Sequence, residues 1–148
     1  KMTNLLKQCF LNVYLRVRMM WIRNKYYVPF VELTKNPQIN QWNLLKNILH
    51  QNKDTHFGSK HKFTSIHSYK DFQNAIPINE YEDLRSYINQ QEQTGEPCLN
   101  SRQPVMYAQT SGTTGEPKNI PILNATIESY KHSQSLFSYT QYSFDIKV

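Results

Sequence analysis

The sequence predicts an α/β protein of which these residues hold an α+β portion: a run of helices, two short strands around a glycine-containing loop, and one more helix. Three observations predict it. Apolar residues recur at helical spacing over Met2 to Tyr27, Gln41 to Asn52 and Tyr81 to Gln91. Two apolar runs, Val105 to Ala108 and Ile120 to Leu123, bracket Thr110-Ser111-Gly112-Thr113-Thr114-Gly115-Glu116-Pro117-Lys118. A hairpin alone is marginal in water, so the two strands are expected to belong to a larger sheet.

The first helix is expected over Met2 to Tyr27, ending before Pro29, which lacks the N–H to continue it. Its main apolar stripe is Leu6, Cys9, Phe10, Val13, Val17, Met20 and Trp21, with Leu11, Leu15 and Ile22 off to one side. The net charge of +6 is concentrated here, because Lys1, Lys7, Arg16, Arg18, Arg23 and Lys25 all precede the first acid, Glu32. The favoured reading is a packing helix whose cations reach out to solvent. Weak contact with an anionic lipid surface stays open as a minority reading and nucleic acid is not expected; salt-sensitive binding to liposomes or oligonucleotides separates these. The same charges interrupt any transmembrane or secretory apolar run.

A loop at Asn36-Pro37 leads to a helix over Gln41 to Asn52 with Trp42, Leu45, Ile48 and Leu49 on one face. Asn52 to His67 is polar and turn-rich, with Phe57-Gly58 as its pivot. His56, His61 and His67 put no pair on one helical face and join no Cys or Glu cluster, so they read as surface residues, and no metal ligand is expected in this chain. Cys9 and Cys98 lack any Cys-x-x-Cys spacing, which suits a reducing cytoplasm.

Ser68-Tyr69-Lys70-Asp71 reads as a capping box opening a short helix to about Ala75. Asn79-Glu80-Tyr81-Glu82 repeats the device before a helix to about Gln91 with Tyr81, Leu84, Tyr87 and Ile88 as its apolar face. After a turn at residues 93–97 come strands over 104–109 and 118–123. Asn124 is expected to cap a helix from Ala125 to about Tyr139. The Tyr and Phe side chains of residues 130–144 read as core in preference to an acyl pocket.

The loop itself reads as a phosphate cradle. Gly112 and Gly115 allow backbone conformations that aim successive N–H groups at one anion. Thr110, Ser111, Thr113 and Thr114 add hydroxyl donors, and Lys118 adds a compact positive charge. It is not a Walker A loop: Pro117 and Asn119 stand where that motif needs Gly and Ser or Thr. A bare Ser/Thr/Gly-rich linker is disfavoured by the Pro117-Lys118 exit between two apolar strands.

Thr-Ser-Gly-Thr-Thr-Gly-x-Pro-Lys resembles the phosphate loop of the adenylate-forming enzymes. Tyr107-Ala108-Gln109, Ile120-Pro121, Asp71-Phe72 and Tyr81-Glu82-Asp83-Leu84-Arg85 are similar to words in the auxin-responsive promoter family of acyl acid amido synthetases, over about Trp42 to Tyr130.

The resemblance implies an N-terminal piece of such an enzyme's large domain. Residues 1–100 would be its helical entry region, 104–123 the strand-loop-strand cradle and 124–144 a helix. It also implies ATP and Mg2+ as cofactors, a carboxylic acid and an amine as substrates, and acyl-adenylate chemistry. Thr110, Ser111, Gly112, Thr113, Thr114, Gly115 and Lys118 would bind the phosphates, with Lys118 also catalytic. The magnesium carboxylate, the adenine and ribose contacts and the mobile C-terminal domain are expected elsewhere. The opening at Lys1-Met2 and the stop at Val148 in a polar and aromatic helical tail likewise suggest an incomplete enzyme, inactive alone. Transfer to coenzyme A or to a protein thiol, and a non-catalytic nucleotide-binding pseudoenzyme, remain the alternatives.

Overall fold

The N-terminal helical run does not stop at Pro29. Helix α1 spans Met2–Ile22, a π-helical turn follows over Arg23–Tyr27, and α2 continues over Val28–Thr34 with Pro29 in its first turn. The expected stop fails because Pro29 falls in the first turn of α2, directly after a π-helical turn. The π turn, in which the Val28 N–H donates to the Arg23 carbonyl, resets the hydrogen-bond register just ahead of it.

The computed structural model describes residues 2–112 and 116–145. It divides into one unit of residues 1–37 with 128–148 and a second of residues 38–127. In the first unit the packing face of α1 is not the expected one. Ile22, from the off-stripe set, is buried, whereas Leu6, Phe10, Val13, Val17, Met20 and Trp21 are each more than half exposed. Tyr26 and Tyr27, in the π turn four and five positions after Ile22, meet His132 and Tyr139 with ring centroids 4.7 and 4.8 Å apart. Those partners belong to α7, Asn124–Asp145, where Tyr130, Phe137 and Phe144 are exposed and do not form the core expected of them. No helix among the described residues is long and apolar enough to cross a membrane.

The second unit holds most of the buried side chains: Leu49, Thr55, Phe57, Ile66, Ile88, Gln91 and Cys98. Helix α3 runs Pro37–Gln51, a turn earlier than expected, because Pro37 opens it with a pre-set φ. Trp42 stacks on Tyr69 at 5.0 Å, and Leu49 is the helix's buried residue.

The polar stretch after α3 is more ordered than its composition suggests. Thr55 caps a one-turn helix α4, His56–Lys60: its Oγ1 accepts from the Gly58 N–H at 2.9 Å and donates to the Asn52 carbonyl at 2.8 Å. Gly58 packs so closely that a Cβ there would run into the Asn52 carbonyl oxygen.

Helix α5, Tyr69–Ala75, is capped by Ser68 as expected, with the Asp71 N–H donating to Ser68 Oγ at 3.1 Å. The Asp71 carboxylate accepts from the His67 N–H at 3.0 Å. Helix α6, Tyr81–Thr94, starts one residue later than the expected device: Glu80 is the cap, and Asp83 in place of Glu82 reaches back to the Glu80 N–H at 2.8 Å. A carboxylate on the third helical residue has the reach for that bond, and Glu82 is engaged elsewhere. Gly95 ends the helix at φ 75°, a left-handed conformation that costs glycine little.

Beyond Gly95 the chain lacks regular structure until β1, and Gln91 holds it. This glutamine is 2 % exposed; its Oε1 accepts from the Leu99 and Asn100 N–H groups, both at 3.0 Å, and its Nε2 donates to the Asn100 carbonyl at 2.8 Å. Gln91→Leu is expected to lower the unfolding free energy by about 2–4 kcal/mol, since each buried polar group left unpaired costs roughly 1–3 kcal/mol. Urea denaturation measures it, and a loss under about 1 kcal/mol would mean that water replaces the amide.

Strands β1, Met106–Gln109, and β2, Asn119–Ile122, form an antiparallel pair with Ala108 opposite Ile120 and Gln109 opposite Asn119. Both strands of a two-stranded sheet are edges, which is why Pro121 is tolerated. Leu123, not Asn124, occupies the cap of α7, its carbonyl accepting from the Thr126 and Ile127 N–H groups.

Candidate functional site

The loop between the strands is closed at its base by one residue pair. The Thr110 N–H donates to the Lys118 carbonyl at 3.1 Å, as the ladder requires. The returning bond goes from the Lys118 N–H to Thr110 Oγ1 at 3.0 Å, so a side chain replaces the second backbone rung. Thr110 thus braces the mouth of the loop while its hydroxyl proton remains a donor. Gly112 lies at φ 62°, the left-handed region that lets adjacent N–H groups converge. Ser111 is exposed beside it. Thr113, Thr114 and Gly115 lie outside the described residues.

One face of α6 fixes the loop's exit. Tyr81, Arg85 and Glu92 fall at i, i+4 and i+11, a spacing that aligns them along the helix. Tyr81 Oη accepts from the Asn119 N–H at 2.7 Å and donates to the Asn119 carbonyl at 3.1 Å, satisfying both groups of an edge strand. The Asn119 side chain donates to Glu92 at 3.1 Å, and Arg85 donates to the Pro117 carbonyl at 3.1 Å. Asn119 thus meets α6 through its backbone N–H, its carbonyl and its side-chain amide N–H.

The charges are ordered the same way. Arg85 is paired with Glu82 through two bonds of 2.6 and 2.8 Å. It also reaches Glu116, the loop's own carboxylate, at 3.8 Å. The hydrogen bonds from Arg85 hold the Glu82 carboxyl below the usual glutamate range, and Glu82 in turn raises Arg85. Lys118 Nζ lies 5.4 Å from the centre of the Tyr81 ring, and the Arg85 guanidinium 4.8 Å from it. Two cations thus stand at the loop's exit with its one carboxylate drawn toward the arginine.

Because the folded Glu82 value is depressed, the Glu82–Arg85 pair contributes above the unfolded carboxyl value and is lost only as pH falls through the lower folded one. The brace is expected to persist through mild acid. Tyr81→Phe, which strands both Asn119 groups, is expected to cost about 1–2 kcal/mol locally and to speed hydrogen exchange at the Asn119 amide by about 5- to 30-fold at neutral pH. Unchanged protection of that amide would show that the hydroxyl does not hold the strand.

Residues 28–146 match the GH3 family N-terminal domain. The chain belongs to the GH3 family. Among curated proteins it is similar to three indole-3-acetic acid-amido synthetases of Arabidopsis thaliana. The GH3.2 enzyme is 30 % identical over 100 residues, 66 % of this chain and 18 % of that protein. The GH3.4 enzyme is 31 % identical over 99 residues, 65 % and 16 % respectively. The GH3.5 enzyme is 28 % identical over 109 residues, 72 % and 18 %. The matched stretch thus spans less than a fifth of each relative, and α1 precedes the GH3 domain match.

Of the residues expected at the site, the structure brings Thr110 and Lys118 together at the loop's base, with Ser111 and Gly112 following Thr110 into the loop. Sequence reasoning took Tyr81 to Arg85 as a helix start and a family resemblance, with no place in the site. It missed that Tyr81, Arg85 and Asn119 position the GH3 loop; the i, i+4 spacing of an aromatic hydroxyl and an arginine was the available signal. One expectation needs correcting elsewhere. His56 does meet Glu and Cys donors, because the turn after α6 folds back on α4 and puts Glu96 and Cys98 beside it. His61 is half-buried, with Nδ1 2.9 Å from the Ala75 carbonyl.

Proposed function

We propose that this chain is the N-terminal part of an ATP-dependent, AMP-forming ligase that activates a carboxylic acid as its acyl adenylate and passes the acyl group to an amino acid or other amine. The observation that carries the reading is the loop of residues 111–117, its mouth closed by Thr110 and Lys118 and its exit clamped by Tyr81 and Arg85. Anchoring both ends of a loop favours preorganised donors within it, and preorganised donors stabilise charge on a leaving group most strongly. The amido synthetase names of the relatives support the amide-forming class.

In this reading the substrate carboxylate attacks the α-phosphorus of ATP and pyrophosphate departs with the bonding pair. Ser111, Gly112, Thr113, Thr114 and Gly115 hold the β- and γ-phosphates, while Lys118 swings from the Tyr81 ring to the charge that develops on pyrophosphate. Nothing in the described loop opposes a polyphosphate, since Glu116 lies toward Arg85. Magnesium, when bound, neutralises phosphate charge; its carboxylate ligand belongs to residues outside this chain. Two free cysteines fit a cytoplasmic protein.

The test is acid-dependent exchange of labelled pyrophosphate into ATP. The full-length protein is expected to exchange with at least one acid of a broad panel, and hydroxylamine or amino acids to trap the acyl group as an amide. The isolated 148 residues are expected to give none, because the adenine, ribose and magnesium contacts are supplied elsewhere. No exchange from a folded full-length protein would overturn the reading.

A further inference from the structure

Outside the loop, the structure gathers three chemically different metal donors from two distant segments. A His56 ring nitrogen, a Glu96 carboxylate oxygen and Cys98 Sγ lie within 4.8 Å of one another. We propose that they form a binding site for a thiophilic divalent cation of the zinc class, clipping α4 to the turn that follows α6.

The backbone sets the cluster up before any ion arrives. The His56 N–H donates to the Pro97 carbonyl at 3.1 Å, the Phe57 N–H to the Cys98 carbonyl at 2.9 Å, and the Cys98 N–H to the Glu96 carbonyl at 2.8 Å. The two segments are thus held in register whatever the side chains do. Cys98 is fully buried, while His56 and Glu96 are exposed, so the thiol is the fixed donor and the other two approach it from the solvent side. Donors that share a zinc ion at about 2.0–2.3 Å lie within the separation that bounds this cluster, and rotation of the two exposed side chains can set the final geometry. Gln90 Nε2 donates to Glu96 Oε2 at 2.9 Å, the kind of bond that orients a carboxylate.

The donor set selects the ion. Thiolate with imidazole and one carboxylate suits zinc and disfavours magnesium or calcium, which take oxygen. Three protein donors leave a fourth position for water. An ordinary cysteine thiol is protonated at neutral pH. On binding, the S–H bond breaks, the Sγ–metal bond forms with the sulfur's electron pair, and the proton passes to water; no redox change occurs.

Cobalt(II) alone is the probe, titrated into the reduced full chain carrying Cys9→Ser so that the exposed thiol does not compete. The expected result is one equivalent bound, a near-ultraviolet sulfur-to-cobalt charge-transfer band with the visible bands of a four-coordinate ion, displacement by zinc, and release of about one proton. Cys98→Val should abolish the band. Because that core substitution also risks the fold, His56→Ala and Glu96→Gln serve as exposed variants that leave the backbone bonds in place. Each is expected to weaken binding by more than about 10-fold, and Gln90→Ala by about 10-fold. No charge-transfer band in the folded chain, or a band that survives His56→Ala and Glu96→Gln at unchanged affinity, would overturn the assignment.

Discussion

On the proposed function, Ser111→Ala and Lys118→Ala, each in the full-length protein, are expected to slow acid-dependent pyrophosphate exchange by about 10- to 1000-fold, the range for removing one preorganised donor from a developing negative charge. The two should differ in kind. Lys118 closes the loop's base through its backbone while its Nζ rests 5.4 Å from the centre of the Tyr81 ring; in the proposed mechanism its charge is engaged late, and its loss should fall on turnover with little change in the apparent affinity for ATP. Ser111 lies in the loop itself, and its loss should weaken ATP binding as well. The Lys118 backbone N–H still reaches Thr110 Oγ1 in Lys118→Ala, so the loop's base survives and the effect isolates the ammonium group. Exchange rates within about 2-fold of the parent for both variants would place the phosphates elsewhere and remove the loop from the mechanism.

Gly58→Ala is expected to destabilise the second unit by about 3 kcal/mol or more, at or beyond the upper end for inserting a methylene into a packed interior. The obstacle is backbone, the Asn52 carbonyl oxygen, and that oxygen cannot retreat cheaply. It already accepts from the Thr55 N–H at 3.2 Å and from Thr55 Oγ1 at 2.8 Å, while Asn52 Oδ1 accepts from the Ser101 N–H at 2.9 Å. Moving it disturbs the cap of α4 and the tether to residue 101 together. Thermal or urea unfolding of the purified chain measures the loss; Gly58→Ala stability within about 0.5 kcal/mol of the parent would mean that α4 re-forms without the close approach. Since His56 and Phe57 carry the backbone bonds to residues 97 and 98, the same substitution is expected to loosen the His56–Glu96–Cys98 cluster.

The sequence by itself determined what is local. The helix-opening role of Ser68 follows from short-range hydrogen bonding, and the helical spacing around Tyr81 to Gln91 from the 3.6-residue period. The loop's composition was equally local: glycine, hydroxyl and lysine act through their own conformations and charges, and the phosphate-cradle reading rests on them. The flanking words Tyr107-Ala108-Gln109, Ile120-Pro121, Asp71-Phe72 and Tyr81 to Arg85 pointed to the same family that the match over residues 28–146 shows.

Only the tertiary structure decided which distant groups meet. The off-stripe Ile22, and none of the longer apolar stripe of α1, is the buried residue of that helix, since burial depends on what lies opposite and the period says nothing of that. Pro29 sits inside a continuing helical run because a π turn ahead of it changes the register, a choice no dipeptide rule encodes. Tyr81 and Arg85 clamp Asn119 and Pro117 across more than thirty residues of chain, and Gln91 satisfies three backbone groups of a segment without regular structure. These are polar partnerships fixed by where the backbone leaves unpaired N–H and C=O groups, and those positions exist only after the helices and strands have packed.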